Sequence, residues 1–254
     1  MNQRFPNSIN RFDSRAQAYA EFRPSYPPEA IDSALDGLGD PLALTIADVG
    51  AGTGISARLF ARRVAAVIAI EPNVRMRAAA EPHPRVQWRE GTAEKTGLED
   101  RSVDAVVACQ AFHWFATLPA MLEFRRVARR RAALLQYERD ERPSTSLRTG
   151  SAFTKAYGDV VRAYATDDTE ELRRRALATF AEFPKTRVTR TAWYSAQRLD
   201  RDALFGRAAS ASYLPTSGPA ADSLRQDLET IFERYQRGGL VELAMVTHVL
   251  AADW

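Results

Sequence analysis

The chain has 254 residues, 45% of them hydrophobic and 26% charged, which excludes a mainly disordered chain and provides for one core with an elaboration. A net charge of +3 is too weak a basic bias to claim a nucleic-acid partner, and the single cysteine, Cys109, excludes a disulfide framework and a cysteine-cluster metal site, so no metal is expected. The opening MNQRFPNSIN lacks the apolar run of a secretory signal, and with one cysteine the expected location is a reducing cytoplasm.

In chain order, FDSRAQAYAEFRPSYPP predicts a helix over 14–20 with Asp13 as N-cap, stopped by three prolines that hold Arg23, Ser25 and Tyr26 extended. A second helix starts at Pro28, with Glu29 beside its positive end, and runs to the glycines of LDGLGDP. Short apolar runs then alternate with amphipathic stretches. Strands are expected over 42–49, 65–71, 85–90, 103–109 and 132–138, and helices over 55–63, 74–80 and 118–128. The uncharged stretch 105–122 reaches the lower length of a membrane span, but Gln110, His113, Thr117 and Pro119 interrupt it, and it reads as strand, turn and helix. This alternation predicts right-handed crossovers and a doubly wound, mostly parallel sheet covered on both faces.

After Glu138 the alternation stops. RDERPSTSLRTGS (139–151) reads as a mobile polar loop, followed by helices over 153–165 and 170–180. A strand over 186–195, helices near 201–211 and 221–237, and a closing strand over 240–250 complete the chain, the last pairing antiparallel at the sheet edge. The arginines of FRRVARRRA (125, 126, 129, 130, 131) recur at helical spacing and are expected to form a solvated face. Cys109 is expected to be buried, His83 to lie in a loop and His248 in the last strand.

The stretch ADVGAGTG (47–54) spaces its glycines GxGxG, with Ile55 where a dinucleotide fingerprint requires a third glycine, which disfavours NAD. Such a turn lets a ligand approach the backbone at the end of a strand, although a tight strand-to-helix turn also needs glycine for structural reasons. Glu71 closes the second strand at the spacing where a carboxylate accepts bonds from ribose hydroxyls. Thr92 and Ala93 follow the third strand, where a hydroxyl and an N–H would read an adenine edge. Gln110, His113 and Trp114 follow the fourth, at the same sheet edge.

Taken together, FRPSYP, ADVGAGTG, IEPNVRM, GTAEKTGLED and ACQAFHWF resemble, in order and spacing, the class I S-adenosylmethionine-dependent methyltransferases of methyltransferase type 11. The likeness is greatest to the branch of ubiquinone/menaquinone-biosynthesis-type and trans-aconitate-type enzymes, and it covers residues 12 to about 128. FTKAYGDVVRAY and VELAMVTHVL also look like that family's lid and last strand. The resemblance implies a Rossmann-like α/β fold of seven strands, the last antiparallel, with a helical lid. It divides a single domain into covering helices (1–40), cofactor core (41–138), lid (139–185) and completing elements (186–254).

The resemblance further implies that Asp48, Gly50, Gly52 and Gly54 frame the methionine part of S-adenosylmethionine, with Glu71 on the ribose. Asn73 and Met76 would flank adenosine, Thr92 and Ala93 would sit beside adenine, and Gln110 near the methionine amino end. Arg23 and Tyr26 would fold over the cofactor. The chain departs from the family at Thr92, where an acidic residue is usual, and at ARRRAAL, which replaces an Arg-Pro-Gly-Gly turn. His113 is the one histidine at the ligand edge and the candidate base for a hydroxyl acceptor; a carboxylate acceptor needs none. Trp114 shares the expected substrate pocket. The implied activity is methyl transfer (EC 2.1.1.-) to a small-molecule oxygen, releasing S-adenosylhomocysteine. The alternatives are a cofactor-binding protein without turnover, and an RNA methyltransferase, against which stand the missing Asn-Pro-Pro-aromatic box and the missing Cys-Pro pair.

Overall fold

The computed structural model describes residues 15–142, 150–182 and 188–254. Asp13, expected as a cap, and residues 143–149 of the expected loop lie outside the described residues. Two helices, α1 (Ala16–Phe22) and α2 (Pro28–Leu35), precede the core. The core runs β1 (Thr45–Val49), α3 (Ile55–Ala61), β2 (Ala66–Ile70), α4 (Val74–Ala78), β3 (Val86–Arg89), β4 (Val103–Cys109), α5 (Leu118–Val127) and β5 (Ala128–Arg139). Helices α6 (Gly150–Tyr164) and α7 (Thr169–Glu182) follow, then β6 (Val188–Leu199), α8 (Arg201–Ala209), α9 (Pro219–Tyr235) and β7 (Val241–Asp253).

The strands form one sheet in the order β3-β2-β1-β4-β5-β7-β6, in which β7 alone runs against its neighbours. It is the Rossmann-like, doubly wound sheet that the alternation predicts. One face is buried under α2, α3, α6, α8 and α9, the other under α5 and α7. The two helices of the 139–185 segment therefore go to opposite faces: Phe153 and Tyr157 join one core, Ala176 and Phe180 the other. Because the chain steps from β1 to β2 on one side and to β4 on the other, the ends of β1 and β4 diverge into the crevice where such sheets bind ligands.

Three expectations are corrected. Residues 41–43 form a short 3-10 turn, with the Asp40 carboxylate accepting from Leu42 N at 3.0 Å, so β1 starts at Thr45. The closing strand is not an edge: β7 lies between β5 and β6, and β6 is outermost. The arginine run is not one helical face. Helix α5 ends at Val127 and β5 starts at Ala128, so Arg129, Arg130 and Arg131 ride on a strand paired with β4. Arg131 is buried, bonding Asp253 at 2.6 and 3.0 Å and the carbonyls of Ala34 and Asp36 at 3.1 and 2.6 Å. Its charge is absorbed by α2 and the end of β7 rather than by water. Residues 105–122 comprise β4, a 3-10 turn and the start of α5, and no described helix is long and apolar enough to cross a membrane.

Helix α1 is fastened to the C-terminal half. Arg15 donates to the carbonyls of Ala211 and Leu214, Gln197 Nε2 donates to Phe22 O at 3.1 Å, and a Cβ on Gly206 of α8 would stand 2.4 Å from the Phe22 ring. This clasp holds Tyr19 over the crevice.

Candidate active site

Asp48 is fully buried near the end of β1. Its Oδ2 accepts from Ser56 Oγ at 2.6 Å, while Oδ1 meets no donor. Burial pushes this carboxyl up to about 7, against the Ser56 bond and with help from the Glu71 charge. The turn that follows is tied to β2, as Gly50 N and Ala51 N both donate to Ile70 O at 2.9 and 3.1 Å. Gly50 has φ +72°, and a Cβ there would stand 2.7 Å from the Ala111 Cβ, so glycine is required both for the bend and for the approach of the β4 exit.

Glu71 ends β2 with its carboxylate held by two backbone donors, Gly52 N to Oε2 and Asn73 N to Oε1, each at 2.9 Å. Burial raises its pKa, and these bonds and Arg77 oppose the rise. Asn73 caps α4 by accepting from the N–H groups of Arg75 and Met76 at 2.8 and 3.1 Å. That cap sets the Met76 side chain across Gly52, where a Cβ would stand 3.2 Å from the Met76 methyl.

The β4 exit is strained. Gln110 takes φ +51°, an uncommon conformation for a residue with a side chain. It donates N–H to Leu135 O at 2.9 Å and Nε2 to Tyr137 O at 2.5 Å, which fastens it to β5 and leaves its buried Oε1 without a donor. A 3-10 turn over Phe112–Trp114 follows, with His113 buried and its ring 4.5 Å from that of Trp114. Phe112 packs edge-on against Phe180 of α7 at 5.7 Å, so α7 backs this turn. Between these strand ends lies a narrow cavity lined by Tyr19, Tyr26, Gly50, Ser56, Cys109 and Tyr137.

A family model described as a methyltransferase domain matches residues 47–135. An uncharacterized methyltransferase of Mycobacterium tuberculosis is 42% identical over 137 residues, 52% of this chain and 54% of the relative. One from Schizosaccharomyces pombe is 37% identical over 111 residues, 43% and 44% of the two chains. The chain thus spans about half the length of the curated relatives it matches. Among solved structures, a candidate type II methyltransferase from Anaeromyxobacter dehalogenans superposes with a TM-score of 0.64 at 22% identity, over 91% of this chain and 98% of that one. A candidate methyltransferase from an antibiotic biosynthesis pathway of Anabaena variabilis gives 0.60 at 22%, over 92% and 98%. Residues 47–135 thus match the methyltransferase-domain model, and the fold is that of the methyltransferases it superposes on.

In the matched core Asp48, Gly50, Gly52, Gly54, Glu71, Asn73, Met76 and Gln110 meet at the carboxyl edge of the sheet, with Tyr26 above them. Ala93 is buried beyond β3, whereas Thr92 is exposed in a tight turn closed on Lys95. Arg23 lies past α1, its guanidinium 4.8 Å over the Tyr19 ring and donating to Ser210 O at 3.0 Å, so it points toward the C-terminal half of the chain. His113 and Trp114 stand at the same edge, on the side of α7.

Sequence reasoning missed Ser56, Tyr19 and Tyr137. Ser56, in the first turn after the glycines, was findable as the partner of a buried acid. Tyr19 lies 4.0 Å from where a Cβ of Gly52 would stand, and Tyr137 stacks with Tyr26 at 5.6 Å; both depend on contacts between distant segments.

Proposed function

We propose that the chain is an S-adenosylmethionine-dependent methyltransferase acting on a small-molecule acceptor, with O-methylation of a carboxylate or hydroxyl as the reaction. The observation that carries this reading is a pair of buried acceptors without donors, Asp48 Oδ1 and Gln110 Oε1, at the ends of adjacent strands beside the glycine turn. Buried oxygens in this state are costly unless a ligand supplies N–H groups, and a carboxylate among them favours a cationic one. The residues present therefore fit the amino-acid end of this cofactor.

Glu71, its orientation fixed by Gly52 N and Asn73 N, keeps lone pairs for two ribose hydroxyls. Met76 and Ala93 offer apolar walls to a purine. When bound, the cofactor supplies an activated methyl group whose departure leaves a neutral thioether. Alignment and exclusion of water do most of the remaining work, and Tyr19, Tyr26 and Tyr137 close the cavity for that purpose. With a carboxylate acceptor no proton moves; with a hydroxyl, His113 is the group at this edge that takes it.

The test is calorimetric titration of wild type and Glu71→Ala with S-adenosylmethionine and S-adenosylhomocysteine. Loss of two hydrogen bonds to a charged acceptor, about 3 kcal/mol, should weaken binding about 100-fold. A folded wild-type protein that binds neither compound would overturn the reading, and conversion to S-adenosylhomocysteine with any acceptor would exclude a protein without turnover.

A further inference from the structure

Near the cavity at the glycine turn, several guanidiniums are buried without acceptors. Arg207 of α8 is only 7% exposed, yet its Nε and Nη1 meet no acceptor, and Nη2 reaches only the Met245 sulfur at 3.9 Å. The neighbours that act on it most strongly are Tyr157, Tyr137, Arg23 and Tyr213, with no carboxylate among them. Arg23 adds a second buried Nε without an acceptor, and Arg173 of α7 a third. These charges are not all equal. Arg139 is matched by Glu141 at 3.1 Å and by Glu170, and Arg173 shares the field of Glu138, so the surplus sits on Arg23 and Arg207. The Tyr213 hydroxyl registers it: burial pushes its pKa up, but Arg173, Arg23, Arg139 and Arg207 together carry it below its ordinary value.

A guanidinium cannot shed its proton, so a buried one without a partner destabilises the fold unless an anion completes it. Tyr137 lines the cavity at the glycine turn and is among the groups whose field acts on Arg207, so one side chain links the two. We propose that Arg23 and Arg207 form the anion-binding end of the acceptor pocket, so that the methyl acceptor is a small organic anion, oriented by its negative group between two guanidiniums and a wall of tyrosines. This rests on the methyltransferase reading above. It also gives the C-terminal half a chemical task, since Arg207, Arg173 and Tyr213 all lie outside the segment matched by the family model.

The experiment uses the full chain saturated with S-adenosylhomocysteine, titrated with glutarate, with uncharged glutaramide and with glycerol 3-phosphate. An anion should bind and the amide should not. Arg207→Met should weaken anion binding at least tenfold, leave S-adenosylhomocysteine affinity within twofold, and raise the melting temperature, because it removes an unpaired buried charge. Arg23→Gln, as a second variant, should weaken the same anion. Binding of glycerol 3-phosphate in place of glutarate keeps the pocket and assigns its anion to phosphate esters. Equal anion affinity in wild type and both variants, or no anion bound by a protein that holds S-adenosylhomocysteine, would overturn the proposal. Failure to hold S-adenosylhomocysteine is read in its own titration and counts against the methyltransferase reading itself.

Discussion

Replacing Asp48 by Asn should make the protein more stable at neutral pH and worse at binding its cofactor. The carboxyl stands at about 7 in the folded chain against an ordinary 3.8, burial being the main cause. A carboxyl raised in this way holds its proton more tightly in the folded state. Its contribution is therefore complete below the ordinary value and is lost as pH climbs through the folded one. At about 1.4 kcal/mol per pH unit, the loss between pH 5 and 8 is about 3 kcal/mol. For a chain of this size that equals roughly 6–12 °C in melting temperature. The asparagine carries no such titration, so the gap between variant and wild type should open by that amount over the window, in melts at constant ionic strength. Calorimetry in buffers of different ionisation heat should also show wild type releasing a proton when a cationic ligand binds near pH 7, and the variant releasing none. A gap that stays flat from pH 5 to 8 would refute the reasoning.

Gly50→Ala combines a left-handed backbone with a Cβ 2.7 Å from Ala111, so urea unfolding should show a loss of about 2–4 kcal/mol. An unchanged midpoint would mean that the turn rearranges freely. Glu123, buried in α5, accepts from Thr96 N at 2.9 Å, Thr96 Oγ1 at 2.6 Å and Arg126 Nε at 2.8 Å. Burial alone would raise its pKa, but the Arg126 and Thr96 bonds lower it. Its stabilisation is present above the ordinary value of 4.5 and disappears as acid carries the pH down through the lowered one. Glu123→Ala should cost about 2–3 kcal/mol at pH 7 and flatten the acid limb of the stability profile; an unaltered limb would count against the assignment.

The glycine turn and Glu71 are legible in the sequence because local rules place them: a strand must end, a helix must start, and the acid falls at a fixed distance. Asn73 is legible as part of the exit from the second strand but not as what it is locally, the cap that orients Met76. The arginine run misleads because ARRRAA fits a helix as readily as a strand, and only pairing with β4 decides. The place of β7 is beyond local reading for a similar reason, since its β5 partners lie as far as 122 residues away, at the Arg131–Asp253 end of the ladder. Arg207 reads as an ordinary helical surface arginine until α8, α6 and β5 converge on it.

The position of β7 carries a consequence for how the chain comes together. Strands β1 to β5 find all their parallel partners among themselves, so that half can assemble as soon as residue 139 is made. Among the described strands β6 pairs with β7 alone, so its ladder waits for the 13 residues of that last strand. Ordering is thus written into the topology: a parallel half that can nucleate early, and a C-terminal half closed by one late, long-range strand insertion, which should set the slow step of refolding.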